Sequence, residues 1–168
     1  MTEIQSVPTA HTSNVELAKF ANKTASFFVE AMLDRKADDG KTYNKIVLVI
    51  VKRSESNKAL ATVRYFLDIA PVKVLMHDLW IGTLDEHSEF KKLHGTERAL
   101  KITPLDTGAY RFSHMNNSEG ESESLYFDLS KFQTRCLACT VMDHLKSWQM
   151  SQMIADAIYA HKQTRKVM

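Results

Sequence analysis

Apolar residues recur at helical spacing near the start of the chain. The pattern begins after Ser13 and Asn14, either of which can cap a helix, and stops at the polar stretch from Ala37 to Gly40. Its members are Val15, Leu17, Ala18, Ala21, Ala25, Phe28, Val29, Met32 and Leu33. Since apolar positions three and four residues apart lie on one helix face, this spacing predicts an amphipathic helix that ends at about Arg35.

The middle of the chain has the pattern of β-strands. Residues 46–51 are apolar throughout and mostly β-branched, which is typical of a strand covered on both faces. Residues 58–69 alternate, so one face is apolar and the opposite face carries Lys58, Thr62, Arg64 and Phe66. A break at Ala70-Pro71, followed by another alternating stretch, predicts a third strand at 72–81.

Shorter strands and a long helix complete the predicted order. A polar loop is expected at 82–97, followed by strands at 98–103, 109–115 and 124–128. Ser130 can cap a helix, and apolar residues then recur at helical steps towards Lys162. We therefore predict one α+β domain over residues 1–168, with a flexible segment at 1–13. Its elements are one helix, an antiparallel sheet of about six strands and a long C-terminal helix.

Composition limits the classes of protein to which the chain can belong. Of its 168 residues, 44% are hydrophobic and 25% charged, as in a globular domain with one core. The longest apolar run, Ile46 to Val51, is far shorter than the roughly twenty residues of a membrane-spanning helix. The first residues also lack the pattern of a secretory signal. We therefore expect a soluble cytoplasmic protein that does not associate with membranes.

The residue types that most often carry catalysis give weak signals. Cys136 and Cys139 lie inside the final helix and have no second cysteine pair to complete a zinc site, so we expect both to be core residues. Asp78 followed by Glu89-Phe90-Lys91 has the residue order of a metal-dependent nuclease, although its second part lies in the predicted loop. A nuclease stays an alternative. The main expectation is a protein without catalytic residues, metal or cofactor.

Charge is distributed unevenly along the chain. The net charge is only +2, but between Lys41 and Val74 seven basic residues stand against Glu55 and Asp68, a local excess of five positive charges. Some of these cations share a predicted strand face with rings, as Arg64 does with Phe66. Cations for phosphates beside rings for bases are how proteins hold single strands without sequence preference. The alternative is that helices cover both faces of the sheet.

The second half of the chain has a distinctive order of turns and strands. Leu100 to Gly108 is followed by Tyr110-Arg111-Phe112, Glu123 to Phe127, Ser130-Lys131-Phe132 and finally Leu145 and Trp148. This order resembles the strand, turn, strand, acidic loop, strand and helix of the Whirly family. Upstream, residues 57–63 are similar to that family's Lys-Gly-Lys-Ala-Ala-Leu-Ser-Val motif, with Asn57 in place of glycine. The resemblance covers roughly residues 52–148.

The resemblance implies both a fold and a role. Whirly proteins, the positive-cofactor-four coactivator, the Pur-alpha repeats and the kinetoplastid guide-RNA-binding proteins share a curved sheet backed by helices. They bind single-stranded DNA or RNA and form dimers or tetramers. By resemblance, we expect a curved sheet and the same role here, with Lys58 the only residue carried over from a motif. The family has eight strands where the pattern here predicts about six.

The sequence therefore predicts a non-enzymatic protein that binds single-stranded DNA or RNA through one basic, ring-bearing sheet face. This hypothesis requires Arg64, Lys73 and Lys101 to lie together on an accessible side of the sheet. It also expects a homo-oligomer formed through the C-terminal helix. Phosphate contacts are assigned to Lys52, Arg53, Lys58, Arg64, Lys73, Lys101 and Arg111, and base stacking to Phe66 and His77.

A protein-interaction module is the alternative to nucleic-acid binding. In that case the chain is an accessory or inhibitory factor of a larger complex. Its surface is then the methionine-rich end of the last helix, over residues 149–160, which contains Met150 and Met153.

Overall fold

The computed structural model describes residues 14–93, 96–118 and 121–167. In chain order their elements are β1 (Val15–Ala21), β2 (Ala25–Lys36), β3 (Thr42–Arg53), β4 (Ala59–Asp68), α1 (Ile69–Ile81), β5 (His87–Leu93), β6 (Thr96–Pro104), β7 (Tyr110–Ser118), β8 (Glu121–Leu129) and α2 (Lys131–Val167). The predicted α+β class and the long C-terminal helix are confirmed.

The strands form two antiparallel sheets. β1 to β4 pair in chain order in the first sheet, and β5 to β8 pair in chain order in the second. Each strand is therefore bonded only to the strands that precede and follow it within its own sheet. The prediction of one sheet of about six strands is wrong, because α1 separates two complete four-stranded units.

The predicted N-terminal helix is instead the hairpin of β1 and β2. At its turn the Asn22 side-chain carbonyl accepts hydrogen bonds from the backbone N–H groups of Thr24 (2.9 Å) and Ala25 (2.8 Å). Along β2 every second residue is buried in the core, namely Phe27, Val29 and Ala31. The helical spacing was misleading because pairing of β2 with β3 outweighs local helix propensity.

The predicted strand at 72–81 is instead the helix α1. Asp68 is the N-cap, and Pro71 lies in the first turn. Proline is tolerated there because the first N–H groups of a helix have no carbonyl partner within the helix. The prediction was wrong because it took Pro71 as a break, when the core-facing residues are spaced three and four apart: Val72, Leu75, Met76 and Leu79. Lys73 and His77 are therefore helix residues.

Five predicted strands are present, with bounds that differ by a few residues. The strands predicted at 46–51 and 58–69 are β3 and β4, and the three shorter ones are β6, β7 and β8. The two predicted faces of β4 are also confirmed, because Tyr65 and Leu67 are buried whereas Arg64 is exposed. Alternation identified these faces because one side of the strand meets the core and the other meets solvent.

The predicted loop at 82–97 contains a strand, β5, at an edge of the second sheet. Its sequence, His-Ser-Glu-Phe-Lys-Lys-Leu, is mostly polar. An edge strand has one neighbour instead of two, so polar side chains are tolerated there and the apolar signal is weak. The Glu89-Phe90-Lys91 segment is consequently extended rather than looped.

Aromatic rings from both sheets meet between the two inner faces. The centroid of the Phe27 ring lies 5.1 Å from that of Phe112 and 5.9 Å from that of Phe127, so β2 packs on β7 and β8. The His114 ring lies 6.4 Å from Phe27 and 6.3 Å from Tyr65. Both helices add apolar residues to the same core. Each sheet therefore has one face towards this core and one face away from it.

The helix α2 begins at a reciprocal cap. Gln133 N–H donates to Ser130 Oγ (3.2 Å), and Ser130 N–H donates to Gln133 Oε1 (3.0 Å), which confirms Ser130 as the cap. Cys136 is exposed and Cys139 is half-buried, so their assignment to the core is wrong. The core face of α2 is occupied by Leu137, Ala138, Val141 and Leu145.

The second half of α2 separates from the core after Trp148. Asp34 Oδ2, at the end of β2, accepts hydrogen bonds from Trp148 Nε1 (2.8 Å) and Gln152 Nε2 (2.9 Å). Every residue from Gln149 to His161 is exposed. Within the described residues, no helix has both the length and the apolar character needed to cross a membrane.

We expect His114 to make the fold sensitive to acid. Burial lowers the pKa of this imidazole from 6.5 to about 4, and the Val63 backbone offsets the effect only in part. The unfolded chain takes up a proton between these values and the folded chain does not. The free energy of unfolding should therefore fall between pH 7 and pH 4, by about 3 kcal/mol from this group.

Urea titrations across this pH range measure the effect. His114→Leu should lose most of the acid-dependent decrease, even if it is less stable at pH 7. The matched control His77→Gln changes an exposed histidine and should keep the decrease. An unaltered pH dependence in His114→Leu would contradict the assignment.

Candidate nucleic-acid interface

The outer face of the first sheet carries rows of side chains set by strand register. The first row crosses from β1 to β4 and consists of Lys19, Phe28, Val49 and Arg64. In the next row Phe66 lies opposite Val47. Val47 and Val49 point away from the inner face, yet they are only 1% and 3% exposed. The face therefore has an apolar centre bordered by rings, cations and the carboxylate of Glu30, which shares the row of Phe66.

Two of these rings are covered by cations. Lys19 Nζ lies 5.1 Å from the centroid of the Phe28 ring, and the Arg98 guanidinium lies 5.4 Å from that of Phe66. Arg98 belongs to β6, so the second sheet contributes to this surface across β4, the edge of the first sheet. The cationic face is our name for Lys19, Phe28, Arg64, Phe66 and Arg98.

A cleft continues the cationic face at the edge of β4. It has a volume of about 640 Å³, within the range of pockets that hold small organic ligands. Its lining combines rings, four cations and one carboxylate, namely Met32, Tyr43, Lys45, Tyr65, Phe66, Asp68, Lys91, Lys92 and Arg98. Because Phe66 and Arg98 line the cleft and also belong to the cationic face, the two form one surface.

Ion pairs link the two sheets at this cleft. Lys91 Nζ donates a hydrogen bond to the Phe66 backbone carbonyl (2.9 Å) and lies 2.8 Å from Glu89 Oε1 and 3.4 Å from Asp68 Oδ2. Lys45 pairs with the same aspartate. The hydrogen bond from Lys45 lowers the pKa of Asp68, so the carboxylate is ionised at neutral pH. β5 is thereby tied to β4 although the two strands do not pair.

The nine residues predicted to contact nucleic acid lie in four places. Arg64 and Phe66 are on the cationic face. The other places are the end of β3 with the turn after it (Lys52, Arg53, Lys58), α1 (Lys73, His77) and the outer face of the second sheet (Lys101, Arg111). The expectation that Arg64, Lys73 and Lys101 share one sheet face is wrong, so the nine-residue interface predicted from the sequence does not form. The three residues lie apart because residues 72–81 form a helix and Lys101 belongs to a different sheet.

The cations predicted to contact phosphate also differ in whether another side chain of the protein already pairs with them. Arg111 makes two hydrogen bonds of 2.8 Å to Asp128, and Lys101 lies 3.3 Å from Glu86. Arg53 donates to Ser26 Oγ (2.9 Å). Four others have no ion pair or side-chain hydrogen bond with any described residue: Lys52, Lys58, Arg64 and Lys73. A phosphate can approach these four without displacing a partner.

Sequence analysis missed several residues of this surface. Lys19 and Phe28 fell within the predicted helix, which concealed that both point outward from a sheet. The alternation around Phe28 was the available signal, because Phe27 and Val29 on either side of it are buried. Arg98 opens a strand that was predicted, but no local pattern shows that β6 lies beside β4.

The geometry does not favour a nuclease site. Glu89 and Lys91 pair with each other on β5, and Asp78 lies on α1 beside His77, 3.4 Å away. In the part of the chain that the structure describes, no three His, Cys, Asp or Glu side chains are grouped closely enough to hold a metal ion.

Comparison with solved structures identifies the fold. WHY1 from Arabidopsis thaliana superposes with a TM-score of 0.66 at 14% identity, over 88% of this chain and 92% of that one. The fold is that of the Whirly proteins. WHY3 from the same plant has a TM-score of 0.63 at 15% identity, over 85% and 95% of the two chains. The plant transcriptional regulator PBF-2 has a TM-score of 0.62 at 15% identity, over 83% and 86%.

The resemblance inferred from the sequence is confirmed at the level of this Whirly fold. No family model matches the chain, and no curated protein sequence matches it either. Since the identities are so low, the likeness lies in the arrangement of strands and helices and not in shared residues. The described residues form eight strands, the number in the family, whereas the pattern predicted about six.

We expect Lys91 to stabilise the packing of the two sheets. Lys91→Ala removes the hydrogen bond to the Phe66 carbonyl and leaves Glu89 without its closest cation, so the free energy of unfolding should fall by about 1–2 kcal/mol. Urea denaturation measures this loss. The matched control is Lys92→Ala on the same strand, because its exposed pair with Glu97 (3.5 Å) should contribute little. Equal losses in the two variants would contradict the assignment.

Proposed function

We propose that this protein binds single-stranded nucleic acid, DNA or RNA, through the cationic face and the adjoining cleft, and that it is not an enzyme. The observation that carries this proposal is the pairing of rings with cations on a sheet face that no other described helix or sheet covers. A ring can stack on a base of any sequence, while a cation beside it can hold the neighbouring phosphate. Specific sequence is not required for such binding.

The geometry of the cationic face suits an extended single strand of nucleic acid. Phe28 and Phe66 lie on β2 and β4, two strands apart, which places them roughly 10 Å from each other across the sheet. A base that takes the place of the covering cation can therefore stack on each ring, and a stacked base contributes about 1–3 kcal/mol. Arg64 lies in the same row as Phe28, and Lys58, in the turn before β4, extends the positive charge. Together these cations provide a path for the phosphates.

The likeness in fold supports the same proposal. PBF-2 is a plant transcriptional regulator, a role consistent with binding to nucleic acid.

The remaining residues predicted to contact nucleic acid have less structural support. Lys101 and Arg111 are already paired, Arg53 is engaged in its turn, and Lys73 and His77 lie on α1. Their roles stay predictions, as does the cytoplasmic location.

We also propose a homo-oligomer formed through the second half of α2. Apolar residues recur at three- and four-residue steps along this exposed part of the helix. We call them the apolar stripe: Met150, Met153, Ile154, Ala157 and Ile158. Such spacing is typical of a helix that packs on another helix. A second copy presents the same stripe, so the surface can be self-complementary. The protein-interaction alternative uses the stripe for a different partner.

Salt dependence tests the cationic face. A labelled oligonucleotide should bind more tightly as a single strand than as a duplex, with log K falling by about 0.7 per phosphate contact for each tenfold rise in salt. Arg64→Gln should reduce this slope by roughly one contact, since an unpaired cation is lost. Fluorescence anisotropy at several salt concentrations measures the slope.

Lys101→Gln is the matched control, because it removes the same charge from the outer face of the second sheet. It should leave the slope unchanged. Binding that is absent or insensitive to salt would contradict the proposed function. A slope reduced by Lys101→Gln and not by Arg64→Gln would move the interface to the second sheet.

Light scattering tests the oligomer. Met153→Asp places a charge in the apolar stripe and should convert the assembly to monomers, since burying an unpaired carboxylate is costly. Ala155→Asp adds the same charge outside the stripe and should leave the assembly intact. A wild-type chain that is monomeric at micromolar concentration would contradict the homo-oligomer and leave the stripe to a different protein.

A further inference from the structure

Asp68 is an ionised carboxylate in a surface that we propose binds a polyanion. Its side chain is 53% exposed, so it faces any strand that occupies the cleft. A carboxylate repels phosphate, and its presence among four cations weakens the attraction that they provide. Its position is better suited to a group that donates hydrogen bonds, such as the edge of a base.

The hydrogen-bonding capacity of Asp68 is only partly used. An ionised carboxylate has sites for about four hydrogen bonds. Lys45 contacts Oδ1, and Lys91 lies 3.4 Å from Oδ2. Acceptor sites therefore remain on the carboxylate, directly beside ammonium groups that donate. The cleft offers adjacent acceptors flanked by a donor.

One base has the complementary pattern on its Watson–Crick edge. Guanine presents two neighbouring donors, the ring N1–H and the exocyclic amino group, followed by the O6 acceptor. Adenine and cytosine have one amino group beside a ring acceptor, and uracil and thymine have one N–H between two carbonyl groups. A carboxylate can accept both guanine donors at once, and a neighbouring ammonium can donate to O6.

We propose that the cleft selects guanine, with Asp68 accepting from N1–H and the amino group, and with Lys45 or Lys91 donating to O6. This inference rests on the proposed function and adds a preference for one base to it. Phe66 and Tyr43 line the same cleft and provide rings for the base plane. The lowered pKa of Asp68 keeps the acceptor ionised at neutral pH.

The test compares oligouridine strands that differ at one central position. Guanine there should improve the dissociation constant roughly tenfold over uridine, the effect expected of one well-formed bidentate contact. Adenine and cytosine should give little improvement. Inosine keeps N1–H and O6 but lacks the amino group, so it should lose most of the advantage. Fluorescence anisotropy at one fixed salt concentration measures all five strands.

Asp68→Asn separates selection from folding. The Asp68 side chain makes no capping hydrogen bond to α1, so the variant removes none. Asparagine replaces one acceptor with a donor, so the advantage of guanine should disappear. Affinity for the plain uridine strand should rise, because the variant removes a negative charge and Lys45 and Lys91 lose the carboxylate that they share. A misfolded variant would instead lose affinity for every strand. Asp128→Asn, on the second sheet, is the control that should keep the preference.

The outcomes distinguish this inference from the proposal on which it rests. Salt-dependent binding that is equal for all five strands would overturn the guanine preference and leave the proposed function intact. A preference that persists in Asp68→Asn would place the selecting group elsewhere and overturn the assignment. Absence of binding to any strand would overturn both.

Discussion

The packing of the two sheets on each other, around the ring of Phe27, is the interaction on which the rest of the structure depends. Phe27 contacts rings from two strands of the opposite sheet, and both helices join the same core. Because each sheet uses one face in this contact, the other face is left for solvent or a ligand. The cationic face exists only because the apolar side of β2, β3 and β4 has already been buried.

The same packing brings the edge of one sheet against strands of the other. Lys91 and Arg98 approach Phe66 from the second sheet, and neither strand pairs with β4. Charge is partly neutralised at this junction, since Lys91 and Lys45 share one aspartate. The cleft is therefore a balanced site of donors and acceptors, whereas the open face with Arg64 keeps its charge free. In our proposal the cleft recognises a base and the open face attracts phosphates.

Local patterns identified the parts of the fold in which one face meets the core and the other meets water. The two faces of β4 followed from alternation, and Ser130 followed from its place before an apolar helix. The hairpin of β1 and β2 did not, because short apolar and charged residues fit a helix as well as a strand. Residues 72–81 were misassigned for the opposite reason, since Pro71 looks like a break but is tolerated in a first turn.

By itself, the amino-acid sequence determined the α+β class, five of the strands, the final helix and the association of Arg64 with Phe66, because these depend on contacts between near neighbours in the chain. Only the tertiary structure decided that there are two sheets and that Lys73 and Lys101 lie apart from Arg64. It also brought Arg98 onto Phe66. These relations join residues far apart in the chain, and a local pattern of apolar and charged side chains carries no record of which strand edges will meet.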